Sequence, residues 1–434
     1  MSNGNTRKRC GFCGRPENEV KGLISGGGNS NEGPFICNRC VDSAHKTLLE
    51  SSRRDDSTKE EPLKKPHEIR TFLDQYVIGQ EKAKREIAIA VYEHFKRREA
   101  LRAGNITIDI GASEDEKERV EIDKSNIMLM GPSGTGKTHI ARAVARLLKV
   151  PFYVADATRL TQAGYVGDDV ESILQGLIAD ADGDIERAQW GICFIDEFDK
   201  LARKSGRSAS GYRDVTGEGV QQALLKLLEG ARVPVPRGMG SKLVVAGAGN
   251  VDMIDTTNIL FIGAGSFAGI EECVEKRINK SSAMGFGATA RKKLEKTDTY
   301  LQVIEEDVLE FGMIPELMGR MPVLTTTVDL TEDEMVEILT RPKNAIIKQF
   351  RALFAMDGID LQFDEAALRA IGQEAKKRPT GARALRSIVK AVVQPYSYDA
   401  PSDGGLKAIR ITEEAVKGGK ALLVRAEPKA SSTA

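Results

Sequence analysis

The chain has 434 residues, enough for two or three domains. Its 63 basic and 63 acidic side chains cancel to a net charge of zero, which argues against the broad positive footprint that nucleic-acid binding needs. No apolar run approaches the roughly 18 residues of a membrane span, and residues 1–10 are polar, so no membrane anchor or secretory signal is expected and the cytoplasm is the expected location.

In chain order, the first segment (residues 1–50) carries Cys10-Gly-Phe-Cys13 and Cys37-Asn-Arg-Cys40. Two such pairs across a glycine-rich loop have the spacing of a four-thiolate zinc site, closed and therefore structural. So short a module builds little core, so Zn2+ binding would supply its folding energy. Cys193 and Cys273 fall in apolar-patterned stretches and are expected to be packing residues. Residues 51–66 have mixed charge and almost no apolar content, which predicts a flexible linker.

A larger segment, 67–328, begins with helical patterning around Tyr76-Val77-Ile78-Gly79-Gln80; spacing alone leaves Val77 and Ile78 as either base-packing or core residues. Residues 111–121 read as a charged surface insertion. The run Ile127–Met130 predicts a buried strand, followed by Gly131-Pro132-Ser133-Gly134-Thr135-Gly136-Lys137-Thr138-His139 and then apolar residues at helical spacing. Strand, G-x-x-x-x-G-K-T and helix form the phosphate-binding loop in its required context. Its glycines let successive backbone N–H groups converge on phosphate, and the helix N-terminus adds partial positive charge. Lys137 suits the outer phosphates of ATP, and the Thr138 hydroxyl suits Mg2+. Downstream, the apolar run Trp190-Gly-Ile-Cys-Phe-Ile195 predicts a second strand ending in Asp196, for the magnesium shell, and Glu197, to polarise the attacking water. These two stretches together predict an NTP hydrolase of α/β class. Between them, Tyr165 and Val166 lie in a glycine-flanked turn; composition alone leaves Tyr165 either exposed for use or folded onto the surface.

A final α+β segment, 329–424, opens with the capping box Thr331-Glu-Asp-Glu334. A second helix is expected from Pro342, bearing Ile346, Phe350, Leu353 and Phe354, and a strand at Ile359–Phe363. Residues 425–434 are expected to be a disordered tail.

These motifs resemble the ClpX family, the AAA+ unfoldase subunits of the Clp protease. The resemblance runs through the four cysteines, Tyr76–Gln80, Gly164-Tyr-Val-Gly167, the 214–226 stretch, Gly312–Arg320 and Thr380–Ile388. The related HslU family shares the ATPase motifs but lacks the cysteine module. The implied fold is a P-loop AAA+ ATPase domain with a small α+β lid, preceded by a small zinc-binding module. The implied function is ATP-driven unfolding of proteins through a homohexameric pore, with delivery to the ClpP peptidase.

On this resemblance Arg320 matches the arginine finger that acts on the neighbouring subunit's nucleotide, and Arg383 the sensor arginine of the lid. Tyr165 and Val166 match the pore loop, and residues 203–213 weakly match a second one. Val77 and Ile78 match the base pocket, and Ser266 is a candidate sensor. Met284-Gly285-Phe286 matches the peptidase-docking loop, which is usually Ile-Gly-Phe. Methionine puts an unbranched apolar side chain of similar bulk in place of the branched isoleucine there. The Arg-Lys-His pore-entrance triplet of the family is absent from residues 233–252, and residues 26–33 form an extra glycine-rich stretch that bears on adaptor binding. The competing readings are a stand-alone remodelling chaperone, a zinc-ribbon nucleic-acid motor and a bare zinc scaffold. No arrangement suited to peptide hydrolysis is visible, so proteolysis would reside in a partner.

Overall fold

The computed structural model describes residues 8–25, 35–44, 63–102, 106–109, 117–120, 122–161, 168–203, 217–236, 251–283 and 296–425. Its contacts divide the chain into two units, Met1–Leu63 and Lys64–Ala434. In the first, Leu23–Ser25 pairs antiparallel with Phe35–Cys37, and residues 38–44 are helical.

The second unit is built around five strands: β1 (Ile127–Met130), β2 (Phe152–Asp156), β3 (Ile192–Asp196), β4 (Leu260–Gly265) and β5 (Val323–Thr326). They run parallel in the order β5-β1-β4-β3-β2. Every residue of β1 and β4 is buried, which is why these segments read as unbroken apolar runs and not as alternating patterns. The sheet is covered by helices that include Glu81–Arg102, Lys137–Leu148, Ser172–Asp180 and Glu218–Glu229. Ile140 and Val144 of the second of these, and Ile173, Leu174 and Leu177 of the third, are buried in that packing. Cys193 and Cys273 are also buried.

Asn126 fixes the lower edge of this sheet. It is fully buried and its Nδ2 donates to the Leu228 carbonyl at 3.2 Å and to the Arg320 carbonyl at 2.8 Å. Its Oδ1 accepts from the Phe261 amide at 3.3 Å. One side chain thus joins the starts of β1 and β4 to the helix ends at 228 and 320.

After β5 the chain enters a smaller body of helices packed on a three-stranded sheet. Asp360–Phe363 pairs parallel with Leu406–Ile411, which pairs antiparallel with Leu422–Arg425. Its core contains Leu339, Phe354, Leu361, Ile371, Leu385 and Ile409. The capping box expected at Thr331 forms: the Glu334 amide donates to Thr331 Oγ1 at 3.2 Å, and the Thr331 amide donates to the Glu334 carboxylate at 2.8 Å. The second helix starts at Ile346, later than expected from Pro342, and Leu353 faces solvent. Residues 341–345 instead form a bend that Lys348 closes, its ammonium donating to the Arg341 and Pro342 carbonyls.

Asn126→Ala would strand two carbonyls and an amide inside the unit, at a cost of about 2–3 kcal/mol. The expected outcome is a clear fall in the thermal midpoint of the ATPase unit, checked by calorimetry.

Candidate functional site

The carboxyl ends of β1, β3 and β4 converge on one side of the sheet, where parallel α/β sheets bind ligands. There they floor a cavity of about 810 Å³ whose other walls come from residues 76–78 and from the small body at Leu330, Ile338, Ala382 and Arg383. Ser133 to His139 line it, as do Val77, Ile78, Asp196 and Glu197. Gly131 and Pro132 stand behind that lining and shape the turn.

The turn needs its glycines. Gly131, at φ +139°, abuts Thr327, where any Cβ would strike both the carbonyl and the hydroxyl. Gly134, at φ +84°, abuts the Thr380 carbonyl in the same way. Both positions combine a backbone conformation that side chains resist with a contact that leaves no room for one. The Thr135 and Thr327 hydroxyls are 2.7 Å apart, so the loop is tied to the residue that follows β5.

The Lys137 ammonium donates to the Gly131 and Pro132 carbonyls at 2.6 and 2.8 Å, which aims it along the inside of the loop. Burial pushes it down to about 8, with Asp196 pulling the other way and Arg383 adding to the depression. The Thr138 hydroxyl donates to Asp196 Oδ2 at 3.3 Å. Two oxygens at that separation, open to the cavity, are a donor set that suits Mg2+, which prefers oxygen ligands and retains water. Glu197 follows at φ +55°, a strained left-handed conformation, and its amide donates to Asp196 Oδ1 at 3.0 Å. That kink leaves the Glu197 side chain exposed in the cavity wall while the next residue, Phe198, turns into the core.

The sequence reading missed Asp199. Its buried carboxylate accepts the Ser266 amide at 3.1 Å and the Ser266 hydroxyl at 3.2 Å, so it ties the end of β4 to the segment after β3. An aspartate three residues beyond Asp196 was the available signal, but its partner is 67 residues away. Ser266 therefore lies in the cavity wall beside Asp199.

Arg383 opens the helix Arg383–Asp399 and lines the cavity. Arg320 does not line it. Its guanidinium lies on the surface against Glu229, with Nε at 3.0 Å and Nη2 at 2.9 Å from the same carboxylate oxygen. Tyr165, Val166, Met284, Gly285 and Phe286 lie outside the described residues, as do residues 204–213 of the second pore-loop stretch, the glycine-rich 26–33 and most of 233–252.

In the first unit, Cys10, Cys13, Cys37 and Cys40 bring their sulfurs within 4.8 Å of one another. Cys10 and Cys40 are 3.8 Å apart, Cys13 and Cys37 3.7 Å. Four ligands at about 2.3 Å around a tetrahedral Zn2+ are about 3.8 Å apart, so the cluster has the dimensions of that ion. Burial raises the Cys10 thiol, but the amides of Cys13, Cys37 and Phe12 outweigh it and bring it down to about 6, while burial and the neighbouring sulfurs push Cys40 up to about 12. The four sulfurs therefore share their charge, with thiolate, the form that binds metal, concentrated at Cys10.

Three family matches cover most of the chain: the ClpX C4-type zinc finger at residues 8–50, the AAA domain (Cdc48 subfamily) at 122–324, and the C-terminal, D2-small domain of ClpB protein at 330–413. The ATP-dependent Clp protease ATP-binding subunit ClpX of Treponema denticola is 45% identical over 411 residues, covering 94% of this chain and 93% of that protein. The chain belongs to the ClpX family. As a ClpX-family ATPase it uses ATP, Mg2+ and Zn2+. It joins a P-loop AAA+ domain to a D2-small lid and an N-terminal C4 zinc finger. No helix among the described residues is long and apolar enough to cross a membrane.

Two outcomes follow for this ClpX-family site. Phosphate binding restores the charge on Lys137, so above about pH 8 the free protein must take up a proton to bind ATP. ATP affinity is therefore expected to hold level from pH 7 to 8 and then to weaken by at most about tenfold per unit, as measured by titration calorimetry; an affinity that rises with pH contradicts this. Cys37→Ser is expected to abolish stoichiometric zinc and to make the first unit sensitive to protease, while ATPase stays within about twofold because its machinery lies in the other unit. Metal analysis, limited proteolysis and a phosphate-release assay check it.

Proposed function

We propose that this chain is an ATP-dependent protein unfoldase and translocase that works as a homohexamer and delivers substrates to ClpP, in the cytoplasm. The observation that carries the reading is the cavity itself: one nucleotide-sized space walled by the phosphate loop and Asp196-Glu197 on one side and by Leu330, Ile338 and Arg383 of the small body on the other. A nucleotide there touches both bodies, so its cleavage changes what holds them at a given angle. Hydrolysis is thereby coupled to movement.

Within this reading Glu197 polarises water, Asp196 and Thr138 hold Mg2+, and Lys137 and Arg383 neutralise charge on the phosphates of their own chain. Arg320 acts in trans. Its place outside the lining of its own chain's cavity and its exposed guanidinium support that role, since a finger serves the adjoining subunit. Tyr165 and Val166 grip the threaded polypeptide, and Met284, Gly285 and Phe286 dock on the peptidase. A division into segments accompanies these roles: zinc module 1–50, linker 51–66, large ATPase domain 67–328, lid 329–424 and tail 425–434, except that Pro66 opens a helix and Arg425 ends a strand, so the linker stops at 65 and the tail starts at 426. Adaptors and substrates would meet the zinc module or the pore entrance, where the missing Arg-Lys-His triplet alters tag preference.

The deciding experiment is degradation of a stably folded, tagged protein with ATP, with and without ClpP. Degradation is expected only with both. Glu197→Gln is expected to bind ATP but to lose about a hundredfold or more in turnover, and Tyr165→Ala to keep ATPase while degradation slows. Brisk hydrolysis by Glu197→Gln, or unchanged degradation by Tyr165→Ala, would remove the corresponding role.

A further inference from the structure

The helices Pro66–Asp74 and Glu81–Arg102 are joined by residues 75–80, and three residues of that connection, Tyr76, Val77 and Ile78, line the nucleotide cavity. Beneath the connection lies Lys84. It is only 2% exposed, yet it carries an ammonium. That ammonium pairs with the Asp74 carboxylate and with Glu81 Oε1, the latter at 2.7 Å. Asp74 is the last residue of the first helix and Glu81 the first of the second, so a single charge ties the two ends of the connection together. Arg70 adds a second cation to Glu81.

A buried ion is costly even when paired, and an apolar side chain would close two packed helices at lower cost. Lys84 supplies direction instead. An ion pair to each end of a short connection restricts where the residues between them run, which apolar packing does not. The far end is fixed as well. Gln80 adopts φ +59°, and its side-chain amide donates to the Val328 carbonyl at 2.8 Å and accepts the Val328 amide at 2.9 Å.

We propose that Lys84 is a positioning residue for the nucleobase, holding Tyr76, Val77 and Ile78 at the height in the cavity where they pack a purine ring. The inference rests on the reading of Val77 and Ile78 as base-contacting surface, with Tyr76 beside them in the cavity lining, and it adds a residue that never touches the nucleotide. Its consequence is selective. Loss of Lys84 weakens recognition of the base and leaves recognition of the phosphates intact, because the phosphate loop is anchored elsewhere, to Thr327 and Gly265.

The test uses the full chain carrying Lys84→Met, which retains the stem. Asp74 and Glu81 are 44% and 59% exposed, so both carboxylates keep water contact when the ammonium is removed. ATPase kinetics are measured together with competitive inhibition by inorganic tripolyphosphate, which carries phosphates and no base. Expected are a KM for ATP raised about fivefold, the upper range for one ion-pair interaction, an unaltered kcat, an unaltered tripolyphosphate inhibition constant, and recovery of KM with Lys84→Arg. A KM within twofold of the parent, or an equal weakening of ATP and tripolyphosphate, overturns the proposal. Asp74→Asn, at a half-exposed position, gives the same readout and decides the matter alone should Lys84→Met not fold. Ile78→Asn serves as the control on the underlying reading: if it leaves the ratio of ATP to tripolyphosphate binding unchanged, the base site itself is misplaced, whatever Lys84 does.

Discussion

The structure depends on how closely the phosphate loop is approached from two sides. Gly131 lies against Thr327, directly after β5, and Gly134 lies against Thr380, three residues before the helix that starts at Arg383. On the lid side Gly381, at φ +56°, repeats the condition, with the space for a Cβ ending 3.0 Å from the Ser133 carbonyl. The loop backbone therefore meets the Thr327 carbonyl and hydroxyl where the large sheet ends and the Thr380 carbonyl where the lid approaches, and a change in the loop is passed to both without slack. Close-packed interiors respond to such changes by shifting between discrete arrangements rather than by yielding gradually.

Charge is distributed to suit the same geometry. Lys137 is buried with its ammonium aimed along the loop, Asp196 is tied to Thr138, and Asp199 is tied to Ser266. These three groups are hydrogen-bonded before any substrate arrives, so little reorganisation of them remains for the reaction itself. Arg320 stands apart from these groups, on the surface beside Glu229, in an exposed pair of the kind that contributes about 0–1 kcal/mol; in the proposed trans role it would exchange that partner for a phosphate on an adjoining chain.

Much of this was legible in the sequence, for identifiable reasons. β1 and β3 announced themselves because fully buried parallel strands are uninterrupted apolar runs, each ending in residues whose chemistry is local in sequence: Gly131–Thr138 after one, Asp196-Glu197 after the other. The cysteine pairs were legible because metal geometry dictates spacing. What stayed hidden depends on contacts distant in sequence. Asp199 acquires its role from Ser266, Gln80 from Val328, and Lys84 from the way two helices fold back on each other. The delayed start of the helix at Ile346 was hidden too, since Pro342 is as compatible with a bend as with a first turn, and Lys348 decides between them. Val77 and Ile78, ambiguous from spacing, are both buried and line the cavity, so their place in the core does not exclude the base-packing role proposed for them.

The central claim is that a nucleotide held between the two bodies sets their relative angle. The most direct measurement places one fluorophore on the large body and one on the lid of the Glu197→Gln chain, at exposed positions remote from the cavity, and follows energy transfer as ATP is added. The account predicts a saturable shift in the distance at the ATP concentration where binding is seen, reversed when nucleotide is removed. A distance that stays constant while ATP demonstrably fills the cavity would contradict it.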